Sequence, residues 1–281
     1  MAAHIAFAAL LFLAFTGPFW AMLLVRVIPE RVWPAGAARP ASDHLNIVIW
    51  LGMMAAQSGL APVAVGGLVT LAVNAAGGGV IALPSHGWGL ALGALIYLMA
   101  MDLGEYAFHR AQHAIPALWA MHTLHHSDPH FDSTTSSRHF WLEPLIKSLT
   151  VWLAVGVLFK ATPAMVLIYV LASYLNILTH SNTRLHLGPL SWLVNTPAYH
   201  RLHHSALEEH WDCNFAALLP IYDVIFGGYR KPGWNERPPT GLDTGERPAG
   251  PLDAALWPLL YSRLRRAAQT HVEQMTVEAA P

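Results

Sequence analysis

Apolar residues run in long stretches along this chain, and charged residues collect between them. Residues 1–25 and residues 44–101 contain no Asp, Glu, Lys or Arg. A helix crossing a bilayer needs about 20 mostly apolar residues, and five stretches are expected to form such helices: 5–25, 45–65, 88–108, 145–159 and 163–179. The last two are short and predict a tight hairpin that does not reach the far side. Residues 63–84, broken by prolines and by Gly77, Gly78 and Gly79, predict a re-entrant or interfacial piece rather than a span. No positive stretch precedes the first apolar run, whereas Arg26 and Arg31 follow it. That order favours a retained span over a cleaved signal peptide.

Composition agrees with this pattern. The chain is 54% hydrophobic and 12% charged, with a mean hydropathy of +0.37, whereas soluble domains carry about 25% charged residues. A formal net charge of −1 gives no bulk attraction to a polyanion, so no nucleic-acid partner is expected. Trp20, Trp33, Trp50, Trp88, Trp141, Trp152 and Trp192 mostly flank apolar runs, as rings at a membrane–water boundary do. Arg26, Arg31 and Arg39 end the first run and place that end in the cytoplasm. Counting spans from there leaves Lys160 as the sole Lys or Arg on the far side. The single cysteine, Cys213, excludes an intramolecular disulfide and a cysteine-held zinc or iron–sulfur centre.

The unusual residue is histidine: 17 of them, as many as Asp and Glu together. Most fall between His109 and His204, and eight of these form three groups. His109 and His113 form an HxxxH pair. His122, His125 and His126 form an HxxHH group, and His200, His203 and His204 form another. On a helix, positions i, i+3 and i+4 share a face, so each group is expected to aim its rings at one common point. Eight converging imidazoles without a metal would leave many buried nitrogens without partners. They also exceed what one ion can hold, so two metals fit better. The residues between them include no carboxylate, so the base of an HExxH zinc hydrolase is missing. Imidazole suits iron, copper, zinc and nickel alike. The fold class expected is therefore all-α: a polytopic membrane helical bundle with a cytoplasmic helical cap that holds a histidine-rich di-metal site.

These groups stand among further motifs: DLGEYAFHR from Asp102, WAMHTLHHSD from Trp119, HSNTR from His180, TPAYHRLHHS from Thr196, and WDCN from Trp211 leading into YDVIFGGY from Tyr222. The series resembles the fatty acid hydroxylase / sterol desaturase superfamily over about residues 98–230. Three regions follow: N-terminal membrane helices (1–97), a catalytic histidine-box domain (98–230) containing the membrane hairpin 145–179, and a Pro/Gly-rich loop with a C-terminal amphipathic helix (231–281).

The resemblance implies an integral membrane non-haem di-iron oxidoreductase that uses O2 to hydroxylate or desaturate a C–H bond of a lipid such as a fatty acyl chain or sterol. The ligands it implies are His109, His113, His122, His125, His126, His200, His203 and His204, with His180 as a ninth. Arg184 stands where some members have a further histidine, which brings in His186, and His139 is a further candidate. His130 and His210 read as supporting or surface residues. Asp102, Glu105 and Asp128 head the carboxylates placed to accept the other ring N–H, with Asp132, Glu143, Asp212 and Asp223 behind them.

Two iron ions are the cofactor implied, with O2 as co-substrate. With no flavin, nicotinamide or haem motif in the chain, electrons are expected from a ferredoxin, a cytochrome b5-like protein or a reductase. The location implied is the inner membrane in a bacterium, or the endoplasmic reticulum in a eukaryote, with the site facing the cytoplasm. The alternatives are a histidine-rich membrane zinc hydrolase and a metal-handling protein.

Overall fold

The computed structural model describes residues 17, 20–26, 28–36, 41–59 and 67–265. Most of the expected first span (5–25) and the chain beyond 265 lie outside the described residues. The rest is mostly helical. In chain order the main elements are α1 (Ala41–Gly59), α2 (Gly67–Ala75), β1 (Ile81–Ala82), α3 (Trp88–Ala114), α4 (Pro116–His126), α5 (Glu143–Lys147), α6 (Leu153–Leu158), β2 (Phe159–Lys160), α7 (Pro163–Ser173), α8 (Leu175–Thr179), α9 (Pro197–His203), α10 (Ile221–Phe226) and α11 (Pro251–Ala255). Two-residue strands β1 and β2 pair in parallel, a small exception to the all-α expectation.

Among the described residues one helix, α3, is long and apolar enough to cross a membrane. It leaves Leu92, Leu95, Met99 and Leu103 exposed on one side. Its other side packs on the hairpin, where Tyr97 and Met101 meet Val151, Val155, Met165 and Tyr169. From Glu143 to Leu158 the first arm rises about 24 Å at 1.5 Å per residue, short of a bilayer core of about 30 Å. That arm is not a plain α-helix. A π-turn over Ser148–Trp152 joins α5 to α6, and the Ser148 and Thr150 hydroxyls donate back to the carbonyls of Pro144 and Ile146. Such hydroxyls compete with the helical ladder.

The second arm divides at Tyr174 into α7 and α8. Within residues 63–84, α2 spans only about 14 Å, packs against α6, and leads to β1 on the hairpin tip. This part of the stretch does not span.

Close approach between α3 and the hairpin depends on glycine. A Cβ on Gly93 would press on the Pro84 carbonyl and lie 2.5 Å from Met165 Cε. Gly93→Ala is therefore expected to destabilise the protein by about 1–3 kcal/mol through overpacking, read as a lower melting temperature in detergent; an unchanged melt would contradict it.

Two features tie the ends of the chain to the histidine region. The side chain of Asn46, near the start of α1, is fully buried. It donates to Asp128 at 2.8 Å and Thr134 at 2.9 Å, and accepts from Arg138 at 2.9 Å. The stretch 45–65 thus begins inside the protein rather than in lipid. At the other end, an amphipathic helix would carry Leu256, Trp257, Leu259, Leu260 and Leu264 on one face. The structure divides them: Trp257 is 2% exposed and packs with Met121 and Leu124, while Leu259 and Leu264 are exposed. Trp257 Nε1 donates to Thr123 Oγ1 at 2.9 Å, so this segment is docked on α4.

Candidate metal centre

The histidines lie at the C-terminal ends of four helices. His109 and His113 close α3, His122, His125 and His126 close α4, His180 caps α8, and His200, His203 and His204 close α9. Local chemistry sets these ends. Ile115 is extended because Pro116 follows it, which stops α3 and lets α4 begin with proline at its first turn. Thr196 caps α9, accepting from the Tyr199 N–H, again with proline next. A helix C-terminus carries partial negative charge, equivalent to about half an electron. Four such ends aimed at one place favour a cation there.

The rings form two groups. One holds His109, His113, His122, His126 and His203; the other holds His125, His180, His200 and His204. The potential ligand atoms within each group lie within 4.8 Å of one another. His126 and His204 stack at 4.4 Å and join the groups. Each HxxHH motif is therefore split rather than aimed at one point. Residues i and i+4 stay together, 40° apart around the helix, while i+3 swings 60° the other way. His125 thus joins the second group and His203 the first.

In the first group the outward nitrogens of four rings have acceptors. His109 Nδ1 lies 2.7 Å from the Phe215 carbonyl and His203 Nδ1 lies 2.8 Å from the Cys213 carbonyl. His122 Nδ1 is 3.1 Å from Glu143 Oε2, and His113 Nδ1 is 3.5 Å from Asp212 Oδ1. Because a carbonyl only accepts, the ring proton sits on Nδ1 and the Nε2 lone pair faces inward. All five Nε2 atoms of this group are buried without a hydrogen-bond partner. In the second group His180 Nδ1 is 2.7 Å from the Asn176 carbonyl, and its Nε2 is 3.1 Å from His125 Nε2 and 3.0 Å from His200 Nε2. His204 Nε2 has no partner. Orphaned, inward lone pairs on neutral donors are what a bound metal satisfies, so the residues fit a metal in each group.

Burial sets the protonation states. It holds His125, His126, His203 and His204 well below the usual imidazole value, with neighbouring rings adding to it. Burial lowers His122 to about 4 although Glu143 opposes the shift, and lowers His180 to about 3 although the Asn176 carbonyl opposes it. For Glu143 burial disfavours the charge, yet hydrogen bonds from His122 and His139 prevail and keep it ionised well below the usual range.

An unfolded imidazole titrates near about 6.5, so the metal-free native state binds fewer protons than the unfolded one. Its stability from these rings is complete above that pH and is lost as pH falls toward about 4 for His122 and about 3 for His180. Chelated protein is expected to keep its melting temperature from pH 8 to about pH 7 and to melt progressively lower from there to pH 5, and a flat profile across the whole range would contradict this.

The remaining sequence candidates divide. Two of the carboxylates lie at the rings: Asp212 at His113, and the buried Glu143, which also accepts from Gln112 at 2.6 Å and the Phe140 N–H at 3.0 Å. His139 lies beside it, stacked on His125 at 4.3 Å, with Nδ1 3.4 Å from Glu143. His186 is brought to neither group: it accepts from the Gly188 N–H, reaches the Pro232 carbonyl and stacks on Trp234. Asp102 accepts from the Leu218 and Leu219 N–H groups, and Glu105 binds Lys147 and Tyr169, so neither touches a ring. A shared helical face did not suffice, because these residues sit about 6 and 10 Å further along the axis. Asp128 serves the Asn46 network and Asp132 caps a turn at Ser133–Ser137. His210 meets Ser205 and Glu236 instead, and His130 donates its backbone N–H to Asp128.

Backbone carbonyls were the supports that side-chain spacing could not reveal. Phe215 and Cys213 belong to a turn in which Asp212 and Asn214 adopt positive φ of 54° and 58°. Asn and Asp tolerate that conformation best among residues with a Cβ. Asn214 is fully buried and fixed by bonds to Tyr199 O, Arg230 O and Arg230 N. Asp223 holds the same turn by accepting from the Phe215 and Ala216 N–H groups and from the Tyr199 hydroxyl. The WDCN motif is thus the clamp that turns two carbonyls toward His203 and His109.

Residues 94–228 match the fatty acid hydroxylase family. Alkylglycerol monooxygenase of Xenopus tropicalis is 31% identical over 132 residues, 47% of this chain and 29% of that protein. Ornithine lipid hydroxylase OlsE of Rhizobium tropici is 28% identical over 145 residues, 52% of this chain and 44% of that one. Very-long-chain aldehyde decarbonylase GL1-1 of Oryza sativa subsp. indica is 28% identical over 171 residues, 57% of this chain and 27% of the relative. The chain thus spans less than half the length of each of these relatives. No solved structure matches it. All nine clustered rings fall inside the segment that matches the fatty acid hydroxylase family, so the part of the chain that carries the site is the part similar to that family.

Proposed function

We propose that this chain is a membrane-bound non-haem di-iron oxidoreductase that uses O2 to hydroxylate a C–H bond of a lipid. The observation that carries this reading is the pair of histidine groups with lone pairs turned inward. His109, His113, His122, His126 and His203 would hold one iron, and His125, His180, His200 and His204 the other. Two relatives, an alkylglycerol monooxygenase and an ornithine lipid hydroxylase, favour hydroxylation over desaturation.

When bound, the irons supply the O2 chemistry and the one-electron steps that an unactivated C–H bond requires. The chain's own part is positioning and exclusion of water. Phe215 O, Cys213 O, Glu143, Asp212 and Asn176 O fix the ring orientations. Packing of Phe131 at 5.6 Å on His180, and of Trp119 at 4.8 Å on His113, shields the rings from bulk water.

The exposed apolar side of α3 suits lipid. It supports an integral membrane location with the site at the cytoplasmic boundary, where a chain could pass from the bilayer toward the rings. Electrons would come from a separate ferredoxin, cytochrome b5-like protein or reductase. A zinc hydrolase is disfavoured because both carboxylates at the rings are already committed: Glu143 to His122, His139, Gln112 and the Phe140 N–H, and Asp212 to His113.

Metal analysis of detergent-purified protein tests the proposal. About two irons per chain, with O2 consumed on adding reductant and lipid, is the expected result. Protein that holds zinc alone and consumes no O2 would overturn it.

A further inference from the structure

A second polar site lies beside the third histidine group. Arg184, Arg201 and Arg237 line one cleft, together with Thr183, His186 and Trp234. Among the described residues none of the three guanidinium groups has a carboxylate partner, whereas Arg26, Lys147 and Arg230 each do. Each spends only part of its donor set on the protein. Arg184 Nε donates to the Pro34 carbonyl at 2.9 Å and Arg237 Nη1 to the Ala35 carbonyl at 3.0 Å. Arg201 Nη2 donates to Phe131 O at 3.3 Å and Asn182 Oδ1 at 3.2 Å. A guanidinium carries five N–H donors in a planar fork, so most of the fifteen remain for a ligand.

The acid lining the cleft, Glu236, is engaged by other groups, and Asp132, whose charge also acts on Arg201, pairs with Arg26 at 2.8 Å. Glu236 lies 3.2 Å from His210 and 3.5 Å from Arg230, and accepts from the Gly233 N–H at 2.8 Å. The frame is fixed as well. His186 stacks on Trp234 at 4.4 Å with both ring nitrogens engaged, and Thr183 pairs with Pro34 in a β-bridge. Holding three like charges in one cleft is unfavourable unless a counter-charge joins them. Burial and the nearby Arg184 both lower the Arg237 pKa, as that crowding requires.

We propose that the cleft of Arg184, Arg201 and Arg237 binds an oxyanion, a phosphate or carboxylate group, through charge-assisted bonds to the free edges of these guanidinium groups. Arg forks match such anions in two-point geometry. The group could come from a lipid headgroup or from a free anion. The site is separate from the histidine groups but touches the second of them through Phe131: Arg201 lies 4.9 Å over that ring, which packs on His204 at 5.0 Å, His180 at 5.6 Å and His200 at 6.2 Å. The proposal does not depend on which metal the histidines hold.

The test uses full-length protein in phosphatidylcholine nanodiscs, in buffer free of phosphate. Inorganic phosphate is titrated calorimetrically, and the protein is also compared in nanodiscs with and without phosphatidic acid. Saturable binding of phosphate, weakened about tenfold or more in the pair Arg184→Gln and Arg237→Gln, is expected if a free anion is the ligand. A response to phosphatidic acid alone, lost in the same pair, assigns the site to a lipid headgroup. Phenylglyoxal labelling of wild-type protein gives a readout independent of any variant: either probe is expected to protect Arg184 and Arg237. Equal behaviour of wild type and variant toward both probes, or labelling that neither probe changes, overturns the proposal.

Discussion

His180→Ala is expected to remove the metal of the second group and reduce lipid turnover by more than about 100-fold, beyond what loss of a mere supporting partner costs. His180 is the hub of that group: its Nε2 lies 3.0–3.1 Å from two other ring nitrogens, and its Nδ1 is fixed by the Asn176 carbonyl. Alanine would leave three rings there, two of which have no acceptor for their outer nitrogen. His203→Ala is expected to abolish turnover equally but to retain more metal, because four rings remain in its group. Metal per chain by mass spectrometry, alongside melting temperature, separates the two cases. Wild-type metal content in both variants would remove these residues from the ligand set.

Arg138→Met is expected to cost about 3–5 kcal/mol of stability, the penalty for removing one partner of a buried charge network. Arg138 is 2% exposed and donates to Leu124 O, Asn46 Oδ1 and Ser127 Oγ, each at 2.9 Å. Leu124 O lies in the last turn of α4, so the guanidinium supplies both a hydrogen bond and a favourable charge where that helix ends. Methionine fills much of the volume but leaves those acceptors dry and the buried Asp128 carboxylate without its cation. Arg138→Lys retains the charge with fewer aligned donors and is expected to fall between the two. Denaturant unfolding of the three proteins in the same detergent measures the order; a Met variant within 1 kcal/mol of wild type would contradict it.

The contrast between legible and hidden parts has physical causes. The rings could be read because helical spacing is local: the same i, i+3, i+4 rule acts wherever HxxHH occurs. Which ring serves which group could not be read, since a swing of 60° at His125 or His203 matters only once a second helix stands opposite. The helices of the hairpin and α3 were legible from apolar runs, but the π-turn at Ser148–Trp152 and the break at Tyr174 depend on hydroxyl back-bonding and packing. Asp102 and Glu105 were plausible supports by face alone; distance along the helix axis assigned them elsewhere. The carbonyls of Cys213 and Phe215 belong to the backbone, so no residue type announces them. Asp212 and Asn214, tolerant of positive φ, were the available clue.

The two histidine groups also differ in how the chain must assemble them. Four of the five rings in the first group come from the single stretch between His109 and His126, two helices joined directly at Ile115. The second group takes His125 from that stretch, His180 from the far end of the hairpin, and His200 and His204 from α9. Closing those longer loops must precede the second group but not most of the first. If each group holds a metal, loading is expected to be ordered in time: the first group could take a cation from a partly folded chain, whereas occupancy of the second would report that the hairpin has returned and α9 has docked.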